Sequence, residues 1–273
     1  MSESVSNVSS EFGTYGYGAF QDNARELARL NFQAQVAWPI ERGALVRHGL
    51  SPDSRVLDVA CGTGAITCQI AHLLQGGSIV GIDLNEALLN EAAERTTTRS
   101  MKNVAFEQGN VYCLDTNAQY DFAYARFLFQ HLDRPIAALR SIRHSLRPDG
   151  RVLVVDVDDR DLVCAPRNNE FCQFLTEAAR FQKQGGGDRM IGRLLPSLFE
   201  QAGLRDIRKE TIRFDSDQLG LDQFLELTTS FKLEQFPAED RAQADQWLSA
   251  IIDQLQCQQA RLQIDIHCVS GAR

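Results

Sequence analysis

The stretch from Arg55 to Asp83, RVLDVACGTGAITCQIAHLLQGGSIVGID, constrains this chain more than any other. Val56-Leu57-Asp58-Val59 has the apolar run of a buried strand, and the small residues Ala60-Cys61-Gly62-Thr63-Gly64 make a turn. Residues 65–74 follow as a helix with Ile66, Ile70, Leu73 and Leu74 on one face. Gly76-Gly77 stops that helix, and residues 78–82 form a second strand that ends in Asp83. The unit is strand–helix–strand, with a glycine turn at one strand tip and an acid at the next. Parallel α/β sheets bind ligands at those carboxyl ends, where a glycine turn lets backbone approach the ligand closely. A carboxylate after the second strand suits a ribose, because it accepts hydrogen bonds from neighbouring hydroxyls.

The nicotinamide fingerprint G-x-G-x-x-G fails here, because Thr67 occupies its third glycine position. The stretch instead resembles the first motif of class I S-adenosylmethionine-dependent methyltransferases, acid-x-Gly-x-Gly-x-Gly. Here it runs Asp58-x-Ala60-x-Gly62-x-Gly64, with Ala60 in place of the first glycine. Gly81-Ile82-Asp83, Gly109-Asn110-Val111, Tyr120-Asp121 and Leu146-Arg147-Pro148-Asp149-Gly150 follow in the order of that family, and the resemblance is strongest over residues 51–160. It implies an α/β fold: a Rossmann-like doubly wound sheet of seven strands, the last antiparallel, with a helical cap. It also implies S-adenosylmethionine as cofactor and methyl transfer to an N, O or C nucleophile of a small molecule. S-adenosylmethionine carries an ammonium and a sulfonium rather than a pyrophosphate, so Asp58 supplies negative charge near those cations.

Carried over residue by residue, the implied cofactor site is Tyr17, Asp58, Ala60, Gly62, Thr63, Gly64, Asp83, Leu84, Gly109, Asn110, Val111 and Arg126. Family members usually place an acid where Asn110 stands; its side-chain carbonyl can still accept from the adenine amino group, and Val111 lies against the ring. Arg126 ends the fourth strand, where a guanidinium can fork onto the methionine carboxylate; a salt-bridged arginine is the alternative. The implied acceptor contacts are Tyr15, His131 and Asp158. His131 is either a proton acceptor or a structural donor. Asp158 belongs to an acid-dense strand end with Asp156, Asp159 and Asp161 that can hold a cationic amine, act as a base, or be a solvated terminus. Displacement at a sulfonium needs chiefly alignment and desolvation of two reactants, so no catalytic dyad has to appear. The Asn-Pro-Pro-Tyr string of amino-methylating nucleic-acid enzymes is missing, as are the paired glutamates of arginine methyltransferases. Two other readings stay open: a nicotinamide-dependent oxidoreductase and a non-catalytic S-adenosylmethionine-binding protein.

Composition narrows the partners. A net charge of −8, with no basic run of five, argues against nucleic acid. The seven cysteines show no C-x-x-C pair and no zinc spacing, so we expect free thiols, no metal and a reducing compartment. The N-terminus lacks the apolar segment of a signal peptide, and no apolar run reaches the length of a membrane span. The expectation is a cytoplasmic protein with no membrane partner.

Outside the motifs, residues 1–12 have a disordered composition. Tyr15 and Tyr17 lie among glycines, as a lid over the cofactor or as a loop packed on the core. Helices are expected over residues 22–36 and 39–48, separated near Pro39 and ended by Gly49, and from Asn85 as a cap. The whole chain, 1–273, is expected as one domain. Residues 1–50 would form an arm, 161–203 and 218–260 the cap, and 204–217 and 261–273 edge strands. The 218–260 insertion fits a substrate lid, a homodimer surface or core packing.

Overall fold

The computed structural model describes residues 13–16, 18 and 20–273. Tyr17 and residues 1–12 lie outside the described residues, and with them the expectation of a disordered tip and half of the tyrosine pair.

The strand–turn–helix–strand unit forms where the sequence placed it. Strand β1 (Arg55–Val59) leads into helix α2 (Ala65–Ala71) and then strand β2 (Ser78–Asp83). Helix α3 (Glu86–Thr98) starts at Asn85, whose side chain accepts from the Leu88 N–H. Strands β3 (Val104–Gln108), β4 (Tyr120–Arg126) and β5 (Leu146–Val157) follow, with α4 (Pro135–Ser145) between the last two. The register slips between β4 and β5 around Arg147–Gly150, so the expected turn is a bulge within one assigned strand.

The sheet order is β3-β2-β1-β4-β5-β8, with β7 (Arg205–Asp215) on the far side of β8 (Arg261–Ala272). Only β8 runs antiparallel among these seven, as the family resemblance implies. An eighth strand, β6 (Val163–Ala165), extends the β5 edge of β8. Strand β8 is therefore interior, not the expected edge. Its alternation arises because Asp265 and His267 are used by Arg213 and Asp161 on one face, while Ile264, Ile266 and Cys268 enter the core on the other.

Alternate residues of each strand feed two cores, as expected of a sheet covered on both faces. Val56, Phe122, Tyr124 and Val155 join one core, and Leu57, Ala123, Ala125 and Val154 the other. Helices α4 and α6 (Leu195–Gln201) cover the second. The first is covered by α1 (Asn23–Arg47), α2, α5 (Asn169–Gln184), α8 (Leu221–Thr228) and α9 (Arg241–Cys257). A four-residue helix, α7 (Ser216–Leu219), joins β7 to α8. Helix α1 corrects the expectation of two helices. It runs through Pro39, because Ala34, Ala37, Ala44 and Leu45 bury one continuous face that outweighs a single lost backbone bond. Helix α9 is core packing: Ala244, Leu248, Ile251 and Leu255 are buried, and Trp247 meets Phe174 edge-on.

Candidate active site

Strand order reverses between β1 and β4, the place where open α/β sheets leave a crevice at their carboxyl ends. A cavity of about 640 Å³ lies there, within the range of about 300–1,000 Å³ that holds drug-sized ligands. Asp58, Ala60, Gly62, Thr63, Asp83, Leu84, Gly109, Asn110, Val111, Arg126, Tyr15 and His131 all line it. Gly64 and Asp158 do not.

The turn after β1 is left-handed at three positions: Ala60 (φ 59°), Gly62 (φ 55°) and Gly64 (φ 67°). Gly62 faces open space, and its N–H donates to Asp83 Oδ2 at 2.8 Å. Gly64 has another task. A Cβ there would lie 2.6 Å from Phe106 and 2.7 Å from Ala92, so its small size lets the turn pack against β3 and α3. The Thr63 hydroxyl donates to Asn31 of α1 at 2.9 Å, and Arg95 of α3 donates to the same oxygen at 2.7 Å. Asp83 takes a second backbone bond, from the Asn85 N–H at 2.9 Å, and burial raises its pKa. The Asn110 side-chain oxygen accepts from the Tyr112 N–H at 2.9 Å, which leaves one lone pair for a ligand.

Asp58 is fully enclosed. Its carboxylate accepts from the Thr67 hydroxyl at 2.6 Å, and burial pushes its pKa up to about 7. The residue that breaks the nicotinamide fingerprint is thus the partner of the motif's acid. Arg126 is buried as well. Its Nε donates to Glu41 at 2.8 Å and its Nη1 to Gln33 at 3.2 Å, both on α1, while its Nη2 has no hydrogen-bond partner. An unpaired buried guanidinium N–H is costly unless a ligand acceptor meets it. The same holds for Arg29 Nη1, the unused arm of a guanidinium that grips Glu26 with two bonds of 2.7 Å. Two carboxylates, the unfilled guanidinium donor of Arg126 and an open glycine turn fit an adenosyl sulfonium with a zwitterionic tail.

The Tyr15 hydroxyl donates to Glu26 at 2.6 Å, and its ring tilts against His131 with centroids 5.4 Å apart. His131 Nδ1 lies 2.9 Å from the Thr14 hydroxyl and 3.3 Å from Gln182 Nε2, which also donates to the Gln130 carbonyl at 2.9 Å, so that ring nitrogen is engaged within the protein. Burial, helped by Arg189, Arg29 and Lys232, pulls the His131 pKa down to about 3. The ring is therefore neutral.

The acid cluster after β5 is a correction. Asp158 is turned away from the cavity because Arg160 and Arg193 pair with its carboxylate. Asp156 accepts from the backbone N–H of Gln130 and Val157. Asp159 is gripped by Arg189 and by buried Lys232 at 2.7 Å, and Asp161 by Arg193 and His267. Every acid there has a protein partner.

The sequence reading missed the contribution of α1. Arg29, Leu30, Gln33, Ala34 and Ala37 line the cavity, with Arg189, Phe224, Leu227 and Phe231 opposite. The signal was present: Glu26, Arg29 and Gln33 recur at three- and four-residue steps, a polar stripe on one helix face.

The profile of the methyltransferase domain family matches residues 50–203, more than half of the chain. An uncharacterized methyltransferase of Schizosaccharomyces pombe is 28% identical over 138 residues, 48% of this chain and 50% of that protein. The ubiquinone/menaquinone biosynthesis C-methyltransferase UbiE of a Shewanella species is 32% identical over 111 residues, 40% of this chain and 44% of that one. The chain thus spans about half the length of the curated relatives it matches. Among solved structures, YcgJ from Bacillus subtilis superposes with a TM-score of 0.58 at 19% identity, covering 84% of this chain and 96% of that one. Among the described residues, no helix is long and apolar enough to cross a membrane. With the motif order, the switch-point cavity and the family match together, the chain belongs to the methyltransferase domain family, among the class I S-adenosylmethionine-dependent methyltransferases.

Proposed function

We propose that the chain methylates a small molecule, and that its own residues contribute alignment and desolvation rather than acid–base chemistry. S-adenosylmethionine supplies a methyl group on a sulfonium, which passes to a nucleophile's lone pair as the S–C bond breaks with its electrons left on sulfur. In this reading Asp83 accepts from the ribose hydroxyls, Leu84 and Val111 flank the adenine, and Asn110 offers its remaining lone pair to the adenine amino group. Gly62 lets the tail lie against backbone. Asp58 balances the cationic end, and Arg126 takes the carboxylate.

The observation that carries this is the unpartnered Arg126 Nη2, buried in the same cavity wall as Asp58 and Asp83. Buried donors are nearly always satisfied, so an orphan on a cavity-lining residue supports a ligand acceptor close to it. His131, kept neutral by burial, lines the cavity beside the acceptor molecule. No residue needs to remove a proton before the methyl moves if the nucleophile is already a free lone pair.

Calorimetry tests the reading. S-adenosylhomocysteine and S-adenosylmethionine should each give saturable heat and NAD none. Asp83→Ala should weaken binding about ten- to a hundredfold, the value of one charged hydrogen bond. Arg126→Met should weaken it similarly. Folded protein with no heat for either sulfur ligand would sink the proposal; formation of S-adenosylhomocysteine with a small-molecule panel then identifies the nucleophile.

A further inference from the structure

The cavity extends well past the glycine turn. Its lining crosses the sheet strand by strand: Asp83 on β2, Asp58 on β1, Arg126 on β4, Val157 on β5, Ile266 on β8 and Phe214 on β7. Val157 sits opposite Ile266, and Phe214 opposite Ile264, so the far half is one continuous floor. With strands about 4.8 Å apart, the three steps from β4 to β7 add roughly 14 Å beyond the polar end. Phe224 and Leu227 of α8 roof this part.

The far half is apolar, and a body with polar groups along its length would bury them there without partners. Protein interiors are otherwise close-packed, so an arm of the cavity lined by Ile, Val, Leu and Phe is shaped for an apolar occupant. Charge at the junction is equally selective. Among the described residues, the only carboxylates lining the cavity are Asp58 and Asp83, both at the polar end. The acids nearest the junction are engaged, Asp159 by Arg189 and Lys232, and Asp161 by Arg193 and His267. What the wall does present there is neutral His131, Arg29, which Glu26 pairs but whose Nη1 makes no bond, and Arg189, which together with Lys232 outnumbers their shared Asp159.

Resting on the methyltransferase reading above, we propose that the acceptor is an elongated apolar molecule. Its hydrocarbon body lies in the β5–β8–β7 trough beneath α8. Its reacting end carries an anionic or neutral oxygen group rather than an ammonium, and a neutral hydroxyl releases its proton to solvent as the methyl group arrives.

The test is calorimetric and needs no turnover. The protein is first titrated with S-adenosylhomocysteine; no heat at that step removes the parent reading and this inference with it. The saturated protein is then titrated with 4-methylphenol, 4-butylphenol, 4-octylphenol and 4-octylbenzylamine, which is cationic at neutral pH. Affinity should rise about three- to fourfold per added methylene along the phenol series, the equivalent of about 0.8 kcal/mol each. The cationic octyl compound should bind at least tenfold more weakly than 4-octylphenol. Leu227→Trp, which fills the trough from α8, should flatten the chain-length dependence, with its melting transition reporting that it folds. If that variant does not fold, the wild-type series decides alone. Methyl- and octylphenol binding within twofold of each other, or tight binding of the amine, would overturn the proposal.

Discussion

Gly62 and Gly64 lie two residues apart in one turn, with nearly the same backbone conformation, and the structure gives them different duties. Both have positive φ, so alanine at either carries the left-handed penalty of about 1–2 kcal/mol. Gly62→Ala adds nothing further within the protein, because no atom lies within 4 Å of the new methyl group. Gly64→Ala drives its methyl to 2.6 Å from Phe106 and 2.7 Å from Ala92, an overpacking cost of about 1–3 kcal/mol. The totals are about 1–2 and about 2–5 kcal/mol. At a urea dependence of roughly 3 kcal/mol/M, the midpoint should fall by about 0.5 M for Gly62→Ala and by about 1 M or more for Gly64→Ala. Ligand binding should rank the positions the other way. Gly62→Val, whose side chain projects into the cavity, should lose about ten- to a hundredfold in S-adenosylhomocysteine affinity, measured by calorimetry on folded protein. Equal urea midpoints for the two alanine variants would refute the packing argument, and full ligand affinity in Gly62→Val would refute the assignment of the open side.

Ala60 occupies a left-handed conformation that glycine adopts freely; after the entropic penalty of glycine in the unfolded chain, Ala60→Gly should gain roughly 0.5–1 kcal/mol in urea denaturation, and a loss would show that the methyl group packs usefully. Asp58 and Asp156 both have folded pKa values of about 7, raised by burial above the usual 3.8. Between about pH 4 and 7 the folded state therefore holds protons that the unfolded state has released, so stability should fall as pH rises through that window, by up to about 1.4 kcal/mol per pH unit per group; Asp58→Asn should roughly halve the slope, and an unchanged slope would count against the assignment. Asp159 has the opposite sign: burial opposes its charge, but Arg189 and Lys232 hold its pKa near 2, so the stability it contributes is present above pH 3.8 and lost as pH falls toward 2. Asn31 does not line the cavity but accepts from both Thr63 and Arg95, so Asn31→Ala and Thr63→Val should be non-additive by about 0.5–3 kcal/mol in a double-mutant cycle; additivity would mean that α1 and the turn are not coupled.

The parts of this molecule legible in its sequence are those where local pattern and long-range structure agree. The run from Val56 to Asp83 carries its own strand period, its turn residues and its helix face, so β1, α2 and β2 form as that pattern dictates. Asn85 caps α3 because the side chain reaches a backbone donor three residues on, a contact that no tertiary packing can veto. Pro39 reads as a helix boundary because sequence shows a proline's local cost but not the buried alanine face that keeps α1 continuous through it. Alternation in β8 suggested an edge because sequence shows that one face is polar, but not that Arg213 and Asp161 supply partners for that face. The acids after β5 misled for a related reason. Carboxylates clustered at a strand tip look available until their cations arrive from residues 189, 193 and 232, far along the chain.

Those cations also decide what chemistry the site can host. Had Asp158 or Asp159 faced the cavity unpaired, the junction would be negative and would favour an amine. Instead Lys232 and Arg189 share Asp159, so the buried group of three carries an excess positive charge beside the cavity. Burial and that neighbouring charge lower the Lys232 pKa to about 7, and the same field, with burial, keeps His131 unprotonated. Phe231 lies among all three cations of this region, with Arg29 4.5 Å from its ring centroid and Arg189 and Lys232 each 5.4 Å away. Its ring attracts the positive charge left over where Arg189 and Lys232 share the single carboxylate of Asp159. The arrangement therefore makes the junction attract electron-rich oxygen, while the two acids that line the cavity without an ion-pair partner, Asp58 and Asp83, stay on the far side with the cationic cofactor. Charge is sorted along the cavity, negative where a sulfonium must be held and positive where a nucleophile must approach it. That separation orients both reactants without requiring any residue to exchange a proton.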